Sequence, residues 1–265
     1  MRFASLGSGS DGNALIVESS DGLQVTRILI DCGFSLRESR RRLRGAGIDP
    51  DDIHGILVTH EHSDHVGGVF RLSAAHGIPA FLTHGTLSAS LDEADQAPDP
   101  EATGLIRRIM PDQAFEVGGL RILPVAVPHD AKEPVQYVID DGRRKLGVLT
   151  DLGHGSIHVR RSYGGLDALV LECNHDTDML AANARYPDSL KRRISGPWGH
   201  LANHVAAELL ASLDTSRLRV LVAAHLSRQN NSPDLARQAL ANALDSELQA
   251  VGVADQDAGF EWTEV

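Results

Sequence analysis

The sequence has little cysteine, few aromatic residues and no long apolar run, and each shortage excludes a class of protein. Two cysteines, Cys32 and Cys173, in 265 residues cannot form a disulfide framework. We therefore expect buried free thiols and a reducing, cytoplasmic compartment. Aromatic residues make up only 4% of the chain, so its core has to be mainly aliphatic. Because no run of about 18 apolar residues is present, no membrane-spanning helix is expected, and the Gly-rich start does not resemble a signal peptide.

Positive charge is also scarce. The formal net charge of −11 disfavours a protein that coats nucleic acid, because such binding is driven by neutralisation of phosphates. It does not disfavour an enzyme with one local basic groove. A hydrophobic fraction of 42% is enough for a sizeable core, and 265 residues are ordinary for one large α/β sandwich. We therefore predict a single domain over residues 1–265.

Short β-branched apolar runs alternate with amphipathic stretches along the chain. The predicted strands are residues 14–18, 27–31, 55–59, 80–83, 121–127, 136–139, 146–150, 167–172 and 219–224. The predicted helices are residues 35–46, 64–76, 203–213 and 233–248. The Pro-rich segment 97–100 predicts a surface connection. Strand runs in both halves of the chain indicate an α/β fold with two sheets and outer helices, a four-layer αββα sandwich.

The densest group of metal-binding residue types directly follows the predicted strand 55–59. His60, His62, Asp64 and His65 occur there, where a strand ends and a helix is predicted to begin. A loop at this point lets the first two histidines converge on one ion, and the turn into the helix directs Asp64 and His65 toward a second ion. A histidine-rich surface turn is the alternative, but so many potential ligands at one strand end rarely lack a function.

The spacing His-x-His-x-Asp-His resembles the signature of the metallo-β-lactamase superfamily. That resemblance implies further ligands at later strand ends, and His129, Asp151 and His225 each come just after a predicted strand. It implies two ligand sets with one bridging residue: His60, His62 and His129; Asp64, His65 and His225; and Asp151 between them. Nitrogen and oxygen ligands suit zinc, and also manganese or iron. Such an ion lowers the pKa of a bound water toward about 7.

The same resemblance assigns supporting roles. Asp31, at the end of a predicted strand, matches the family aspartate that orients a ligand or its loop, although a plain strand-end aspartate is the alternative. Within residues 199–201, the sequence Gly-His-Leu resembles the motif of ribonuclease Z-like enzymes whose histidine protonates the leaving oxygen. His200 is therefore the candidate general acid, unless it is a solvent-exposed histidine at a helix start. Glu172 is the candidate to orient His200, and Asp64 is both a ligand and a catalytic candidate.

The bridging aspartate narrows the reaction class. In this superfamily, as the resemblance implies, true β-lactamases lack it, whereas phosphodiesterases and thiolester hydrolases of the glyoxalase II type have it. The candidate substrate contacts are Lys191, Arg192, Arg193, Ser227, Asn230 and His175. The basic run would position a DNA backbone, and a solvated helix face is its alternative. The Gly-rich segment 7–13 offers backbone N–H groups to a phosphate, or forms a plain tight turn.

Several segments together resemble one branch of the superfamily. They are residues 7–13, 59–65, 172–176, 186–194, 199–201, 226–227 and 230–231. This branch, the WalJ/YycJ-type proteins, is regarded as cytoplasmic DNA exonucleases that act from the 5′ end, and the similarity spans nearly the whole chain. Cys173 and Ala202 stand where the branch more often has serine. Ala202 therefore lacks a hydroxyl near the candidate acid.

These observations favour a two-metal phosphodiesterase that acts on DNA as a 5′ exonuclease. RNA and small cyclic or nucleotide phosphodiesters are alternative substrates, and the acidic composition favours a small one. A ribonuclease Z relative is disfavoured, because the chain has no evident inserted arm for gripping tRNA. A thiolester or lactone hydrolase and an inactive metal-binding regulatory module are further alternatives, although the intact ligand set argues against the last. The sequence does not define the oligomeric state.

Overall fold

Two seven-stranded sheets form the centre of the protein, whose structure is a computed structural model that describes residues 1–93 and 103–265. The strands are β1 Arg2–Gly7, β2 Ala14–Ser20, β3 Val25–Ile30, β4 Gly55–Leu57, β5 Ala80–Leu82, β6 Ile106–Arg108, β7 Phe115–Val117, β8 Leu120–Ala126, β9 Val135–Asp140, β10 Lys145–Leu149, β11 Ala168–Glu172, β12 Val220–Ala224, β13 Val251–Val253 and β14 Phe260–Glu264. The predicted connection at 97–100 lies outside the described residues.

Helices cover the outer faces of the two sheets. They are α1 Leu36–Gly45, α2 Ser63–Val66, α3 Val69–His76, α4 His84–Glu93, α5 Ile157–Ser162, α6 Thr177–Ala182, α7 Asp188–Ile194, α8 Asn203–Ala211 and α9 Pro233–Ala243. In the described residues, no helix combines the length and the apolarity needed to cross a membrane. Both thiols are fully buried, and burial raises the pKa of Cys32 to about 11.

The strand order places several carboxyl ends side by side. The first sheet has the order β14-β1-β2-β3-β4-β5-β6, and β3 to β6 are parallel. The second sheet has the order β13-β12-β11-β10-β9-β8-β7, and β10 to β13 are parallel. Because parallel strands end at the same edge of a sheet, the residues that follow β10, β11 and β12 gather at one edge.

Three apolar clusters separate the layers of the sandwich. Residues of both sheets, such as Ile28 and Val170, form the cluster between the sheets. Their strand neighbours Leu29 and Leu171 point the opposite way, into clusters beneath the outer helices. This alternation is the two-residue period of a strand that is buried on both faces. The predicted αββα sandwich is thereby confirmed.

Two predicted helices have different bounds in the structure. The stretch 64–76 is divided into α2 and α3 at the pair Gly67 and Gly68. Gly68 donates its N–H to the carbonyl of Cys32 at 2.7 Å, and a Cβ on Gly68 would lie 1.9 Å from the carbonyl oxygen of Phe34. The close approach to the segment after β3 therefore breaks the helix. The stretch 233–248 ends at Ala243, shortly before Asp245 turns to a φ of 49°.

A buried carboxylate joins the starts of β10 and β11. Asp167, with its side chain 1% exposed, accepts hydrogen bonds from Arg144 at 2.9 Å, Arg217 at 2.9 Å and the Lys145 N–H at 3.0 Å. In Asp167→Ala these donors lose their acceptor, and we expect the free energy of unfolding to fall by about 1–3 kcal/mol in a denaturant titration. Asp140→Ala, with a side chain 22% exposed, is the matched control. Equal losses in the two variants would contradict this role of Asp167.

Candidate metal centre

The histidine cluster lies in the loop between β4 and the first turn of α2. His60 and His65 are fully buried, while the side chains of His62 and Asp64 are partly exposed at 30% and 20%. The Nε2 atom of His60 and the Nδ1 atom of His62 face each other at 3.0 Å. The turn at the start of α2 directs Asp64 and His65 to the other side of the same cleft. The four residues of the cluster therefore lie around one cleft.

Three later strand ends deliver one residue each to this cleft. The Nε2 atoms of His129 and His225 lie 3.9 and 3.6 Å from Asp151 Oδ1, and His65 Nε2 lies 3.1 Å from Asp151 Oδ2. His225 Nε2 is also 3.5 Å from Asp64 Oδ2. The potential ligand atoms within 4.8 Å of one another include these groups: His60, His62 and His129; Asp64, His65 and His225; and His60, His65 and Asp151. All seven predicted ligand residues thus meet at one place, with Asp151 between the two histidine groups.

The backbone turns sharply where these strands end. Asp31, Asp151 and His225 have φ angles of 59°, 51° and 55°, in the left-handed region that non-glycine residues rarely adopt. Each such residue costs on the order of 1 kcal/mol, and strain of this kind concentrates at functional sites. At Asp151 and His225 the turns direct the side chains into the cleft instead of onto a face of the sheet.

Asp31 supports both a histidine and the loop that carries it. Its Oδ2 lies 2.8 Å from His65 Nδ1, and its Oδ1 accepts the Thr59 N–H at 2.8 Å. The hydroxyl of Thr59 donates to Asp31 Oδ2 at 2.8 Å. With Nδ1 of His65 fixed in this way, Nε2 faces the cleft. Carboxylates that hold the remote nitrogen of a ligand histidine are a usual feature of metal sites.

The other two rings at strand ends are held in the same manner. His129 Nδ1 donates to the Gly199 carbonyl at 3.1 Å, and His225 Nδ1 lies 3.4 Å from Glu172 Oε1. Both Nε2 atoms are therefore directed inward, and neither has a hydrogen-bond partner although both are buried. The buried Asp151 Oδ2 likewise forms no hydrogen bond of suitable angle, although His65 Nε2 lies 3.1 Å from it. Each unpartnered buried polar atom costs about 1–3 kcal/mol, which bound cations would remove.

The donor set fits divalent metal ions. The 3.0 Å between His60 Nε2 and His62 Nδ1 is close to the roughly 3.3 Å expected for two nitrogens at 2.0–2.1 Å on one tetrahedral zinc. Burial opposes ionisation of Asp151, but the neighbouring His225 and His65 lower its pKa well below the ordinary value. Burial also opposes the charge on His225, yet Asp151, Asp64 and Glu172 raise its pKa to about 10. The cleft therefore stabilises positive charge.

The Gly-rich loop between β1 and β2 contacts three of the potential ligand residues. The Ser8 hydroxyl accepts the His225 N–H at 2.9 Å. Asn13 Nδ2 lies 3.2 Å from Asp64 Oδ2 and 3.0 Å from His65 Nε2. The loop thus holds potential ligands in place. Sequence reasoning missed Asn13, whose only signal was an amide residue in a segment that otherwise suggested a tight turn.

A histidine–carboxylate pair lies beside the cluster. His200 lines the cavity, and its Nδ1 is 2.7 Å from Oε1 of the fully buried Glu172. The Oε2 atom of Glu172 accepts the N–H groups of Leu152 at 2.8 Å and Leu201 at 3.1 Å. Burial disfavours the ionised form of Glu172, but His200 next to it lowers the pKa of this carboxyl to about 2. An ionised, rigidly held carboxylate therefore fixes the orientation of the His200 ring.

Comparison with known proteins agrees with this geometry. A family model described as the Beta-lactamase superfamily domain matches residues 26–225. The chain belongs to this superfamily. Exodeoxyribonuclease YycJ of Bacillus anthracis is 34% identical over 262 residues, which cover 96% of this chain and 93% of that protein. Exodeoxyribonuclease WalJ of Streptococcus pneumoniae is 30% identical over 252 residues, which cover 95% of this chain and 91% of that protein.

Solved structures show the same superfamily fold. Zn²⁺-bound PqqB from Methylobacterium extorquens has a TM-score of 0.74 and 20% identity, and the match covers all of both chains. The short form of human tRNase Z has a TM-score of 0.67 and 16% identity, with 100% of this chain and 99% of that chain covered. The family resemblance predicted from the sequence is confirmed. The superfamily fold and the clustered histidines and carboxylates together indicate a site for divalent metal ions.

The cleft beside the potential ligands is a cavity of about 400 Å³. Only some of the predicted substrate contacts line it. Arg193 and Ser227 line this cavity, whereas Lys191 and Arg192 do not. Lys191 instead donates to the Ala181 carbonyl at 2.7 Å. The three basic residues therefore point to different sides of α7, and only Arg193 faces the cleft.

Two further candidates lie inside the protein. His175 and Asn230 are each 1% exposed, and neither lines the cavity. Asn230 accepts a hydrogen bond from Asn183 Nδ2 at 2.6 Å, and its backbone carbonyl accepts the Asp176 N–H at 2.8 Å. The structure thus does not place these two side chains where a substrate would touch them. Their proximity in sequence to His225 and Glu172 reflects the packing of loops behind the site.

Gly199 allows the segment before His200 to approach α7. A Cβ on Gly199 would lie 2.2 Å from the carbonyl oxygens of both Arg193 and Ile194. Gly199→Ala is therefore expected to displace His200 and to lower kcat for hydrolysis by about 10²-fold, the usual consequence of a shift near 1 Å. Steady-state kinetics would measure this, and Gly119→Ala, in a surface turn without nearby atoms and without a positive φ, is a matched glycine control. Unchanged kcat in Gly199→Ala would contradict the tight fit.

Proposed function

We propose that the chain is a dinuclear-metal hydrolase that cleaves phosphodiester bonds of DNA as a 5′ exonuclease. The observation that carries this proposal is the meeting of seven potential ligands with the His200–Glu172 pair at one cavity. The curated exodeoxyribonucleases that match nearly the whole chain support DNA as the substrate. The bridging position of Asp151 supports phosphodiester over β-lactam hydrolysis.

The seven proposed ligands form one group for each ion and one shared residue. One ion would be held by His60, His62 and His129, a second by Asp64, His65 and His225, and both would share Asp151. Zinc suits this set of nitrogen and oxygen donors best, and manganese or iron are the alternatives. When bound, the ions supply Lewis acidity toward phosphate oxygens and lower the pKa of a water toward neutrality.

The residues beside the ligands handle the leaving group. Because Nδ1 of His200 donates to Glu172, Nε2 of the protonated ring is the nitrogen left to donate a proton to the leaving oxygen, after which the ring is neutral. The negative charge of Glu172 stabilises the protonated ring before the transfer. The N–H groups of Leu152 and Leu201 keep Glu172 in place, so the ring cannot rotate away.

Polar groups at the cavity mouth position the phosphodiester. Arg193 has its side chain 62% exposed and forms an ion pair with Asp130 at 2.6 Å. Its guanidinium lines the cavity together with Ser227 and Asn174, so it can contact a phosphate next to the one being cleaved. Such contacts set the register of the backbone and do not read the base sequence.

We also infer that residues 1–265 form one domain. The last strand, β14, pairs with β1 at the edge of the first sheet, so both ends of the chain close the same layer. The cluster between the sheets contains Phe3 from β1 and Val222 from β12. A boundary within the described residues would have to separate these packed elements.

A small phosphodiester is the second candidate substrate. The cavity of about 400 Å³ lies within the range that holds a small ligand, and the net charge of −11 opposes long polyanions. The deciding experiment is metal analysis of the purified protein, followed by digestion of 5′- and 3′-labelled single- and double-stranded DNA with that metal. RNA, cyclic nucleotides, bis(p-nitrophenyl) phosphate and a thiolester are assayed in parallel. Mononucleotide release from the 5′ end supports the proposal, and turnover of thiolesters alone would overturn it.

A further inference from the structure

One wall of the cavity is apolar, in contrast to its charged floor. Tyr186, Leu190 and Ile194 line this wall, which we call the α7 wall. Leu190 and Ile194 are one helical turn apart on α7, a helix in which no residue is buried. Among the described residues, all three lie outside the apolar core clusters of the sandwich. The apolar side of α7 is therefore turned toward the cavity and contributes nothing to the core.

The α7 wall adjoins the groups proposed to act on the phosphodiester. The Ile194 carbonyl accepts the His200 N–H at 2.8 Å, and Arg193 on the same helix pairs with Asp130 at the cavity mouth. A phosphate at the ligand cluster is linked through its sugar to a base, and the wall lies within the same cavity. The flat ring of a tyrosine and aliphatic side chains are the surfaces on which nucleobases stack.

The size of the cavity limits what can reach the α7 wall. Its volume of about 400 Å³ suits one group of small-ligand size. A base pair with its partner strand would need far more room than this volume, which favours an unpaired base on the wall. Enzymes that act on a nucleotide inside a narrow pocket take it from a single strand or draw it out of the duplex.

We propose that Tyr186, Leu190 and Ile194 form a subsite for the unpaired nucleobase of the nucleotide at the cleaved bond. The inference rests on the proposed phosphodiesterase function and makes it more specific. Stacking is tolerant of base identity, because every base has a π-face. The subsite therefore selects for an unpaired end and not for a sequence.

A cycle of two enzymes and two substrates tests the subsite. Wild type and Tyr186→Ala are assayed on a single-stranded oligonucleotide whose 5′-terminal nucleotide is either normal or abasic. In wild type we expect the missing base to lower kcat/KM by roughly tenfold, the usual effect of one lost stacking contact. Tyr186→Ala should lose about the same factor on the normal substrate and almost nothing on the abasic one. Equal losses on both substrates, or no preference for the base in wild type, would overturn the subsite.

Two variants control for packing. Tyr186→Phe keeps the ring and should retain the preference for the normal end. Leu190→Ala should reduce that preference, whereas Leu235→Ala removes a comparable exposed side chain, 41% exposed on α9 and outside the cavity, and should not. A loss of preference in Leu235→Ala equal to that in Leu190→Ala would show a general effect of packing and overturn the assignment.

A binding measurement separates the subsite from the proposed function. Placing 2-aminopurine at the 5′ end reports stacking as a loss of fluorescence, independently of turnover. Quenching by wild-type protein that is reversed in Tyr186→Ala is expected. If the metal-loaded protein cleaved none of the oligonucleotides, the proposed function would fail, and the quenching result would still decide the subsite. Absence of quenching in a protein that does cleave DNA would overturn the subsite alone.

Discussion

Asp64→Ala is expected to lower kcat for phosphodiester cleavage by about 10³-fold or more, which corresponds to about 4 kcal/mol of barrier. Asp64 belongs to the second proposed ligand set alone, whereas Asp151 is shared by both sets. Its Oδ2 lies 3.4 Å from His65 Nε2 and 3.5 Å from His225 Nε2. Without it, the proposed second ion would have only two histidines and the shared Asp151 as ligands. We therefore expect bound metal to fall from about two ions to about one per chain, measured by elemental analysis of the dialysed protein.

The control for this variant is Asp140→Ala, at the end of β9 and outside the cavity. It should bind as much metal as wild type and keep its kcat. Thermal unfolding with and without chelator distinguishes a local loss from a general one, because only proteins that bind both ions gain the full stabilisation from metal. Asp64→Ala that retained two ions and full activity would refute the assignment of this residue.

The positions of Asp151 and His225, two of the proposed ligands, were predictable because both come within two residues of the end of a parallel strand. The carboxyl end of a parallel strand is a fixed point at the sheet edge, so His225 after β12 and Asp151 after β10 have few directions available. The residue type and the strand end together place the side chain. The left-handed backbone at Asp151 and His225 adjusts the direction of each side chain. The side of the sheet edge on which they lie is predictable without it.

Residues farther from a strand end could not be placed in the same way. Ser227 lines the cavity, whereas Asn230 is buried, although both lie in the loop that follows β12. In an irregular loop, side chains only one residue apart point in different directions. The sequence of such a loop has no repeat from which these directions could be predicted. The α7 wall was missed for a related reason. Leu190 and Ile194 have the spacing of a core-facing helix, and only the fold shows that they face a cavity.

The helix break at Gly67 and Gly68 depends on a contact between distant segments. The sequence contains the glycine pair, but an amphipathic pattern continues across it. The break follows from the hydrogen bond between Gly68 and Cys32, which lies beyond any local window. β1 was missed because its six residues run into a Gly-rich loop, and its pairing with β14 becomes visible only in the folded sheet.

His200→Gln is expected to lower kcat on DNA by about 10²–10⁴-fold, the usual contribution of a general acid. The leaving group of DNA is an alkoxide, which needs a proton, whereas p-nitrophenolate is stable without one. The same variant should therefore lose much less, about tenfold or below, on bis(p-nitrophenyl) phosphate. The ratio of the two losses, measured as kcat with each substrate, identifies proton donation and not a general disturbance of the site. Equal losses on both substrates would assign His200 to binding or packing.

Glu172→Gln tests the other half of the pair. Its Oε1 lies 2.7 Å from His200 Nδ1, so the variant should show the same dependence on leaving group with a smaller loss, on the order of 10–100-fold on DNA. Because Glu172 also lies 3.4 Å from His225 Nδ1, metal content has to be measured alongside. If both ions stay bound and the double variant is no slower than His200→Gln, the carboxylate acts through His200. An additive loss in the double variant would instead show that Glu172 acts mainly by holding His225.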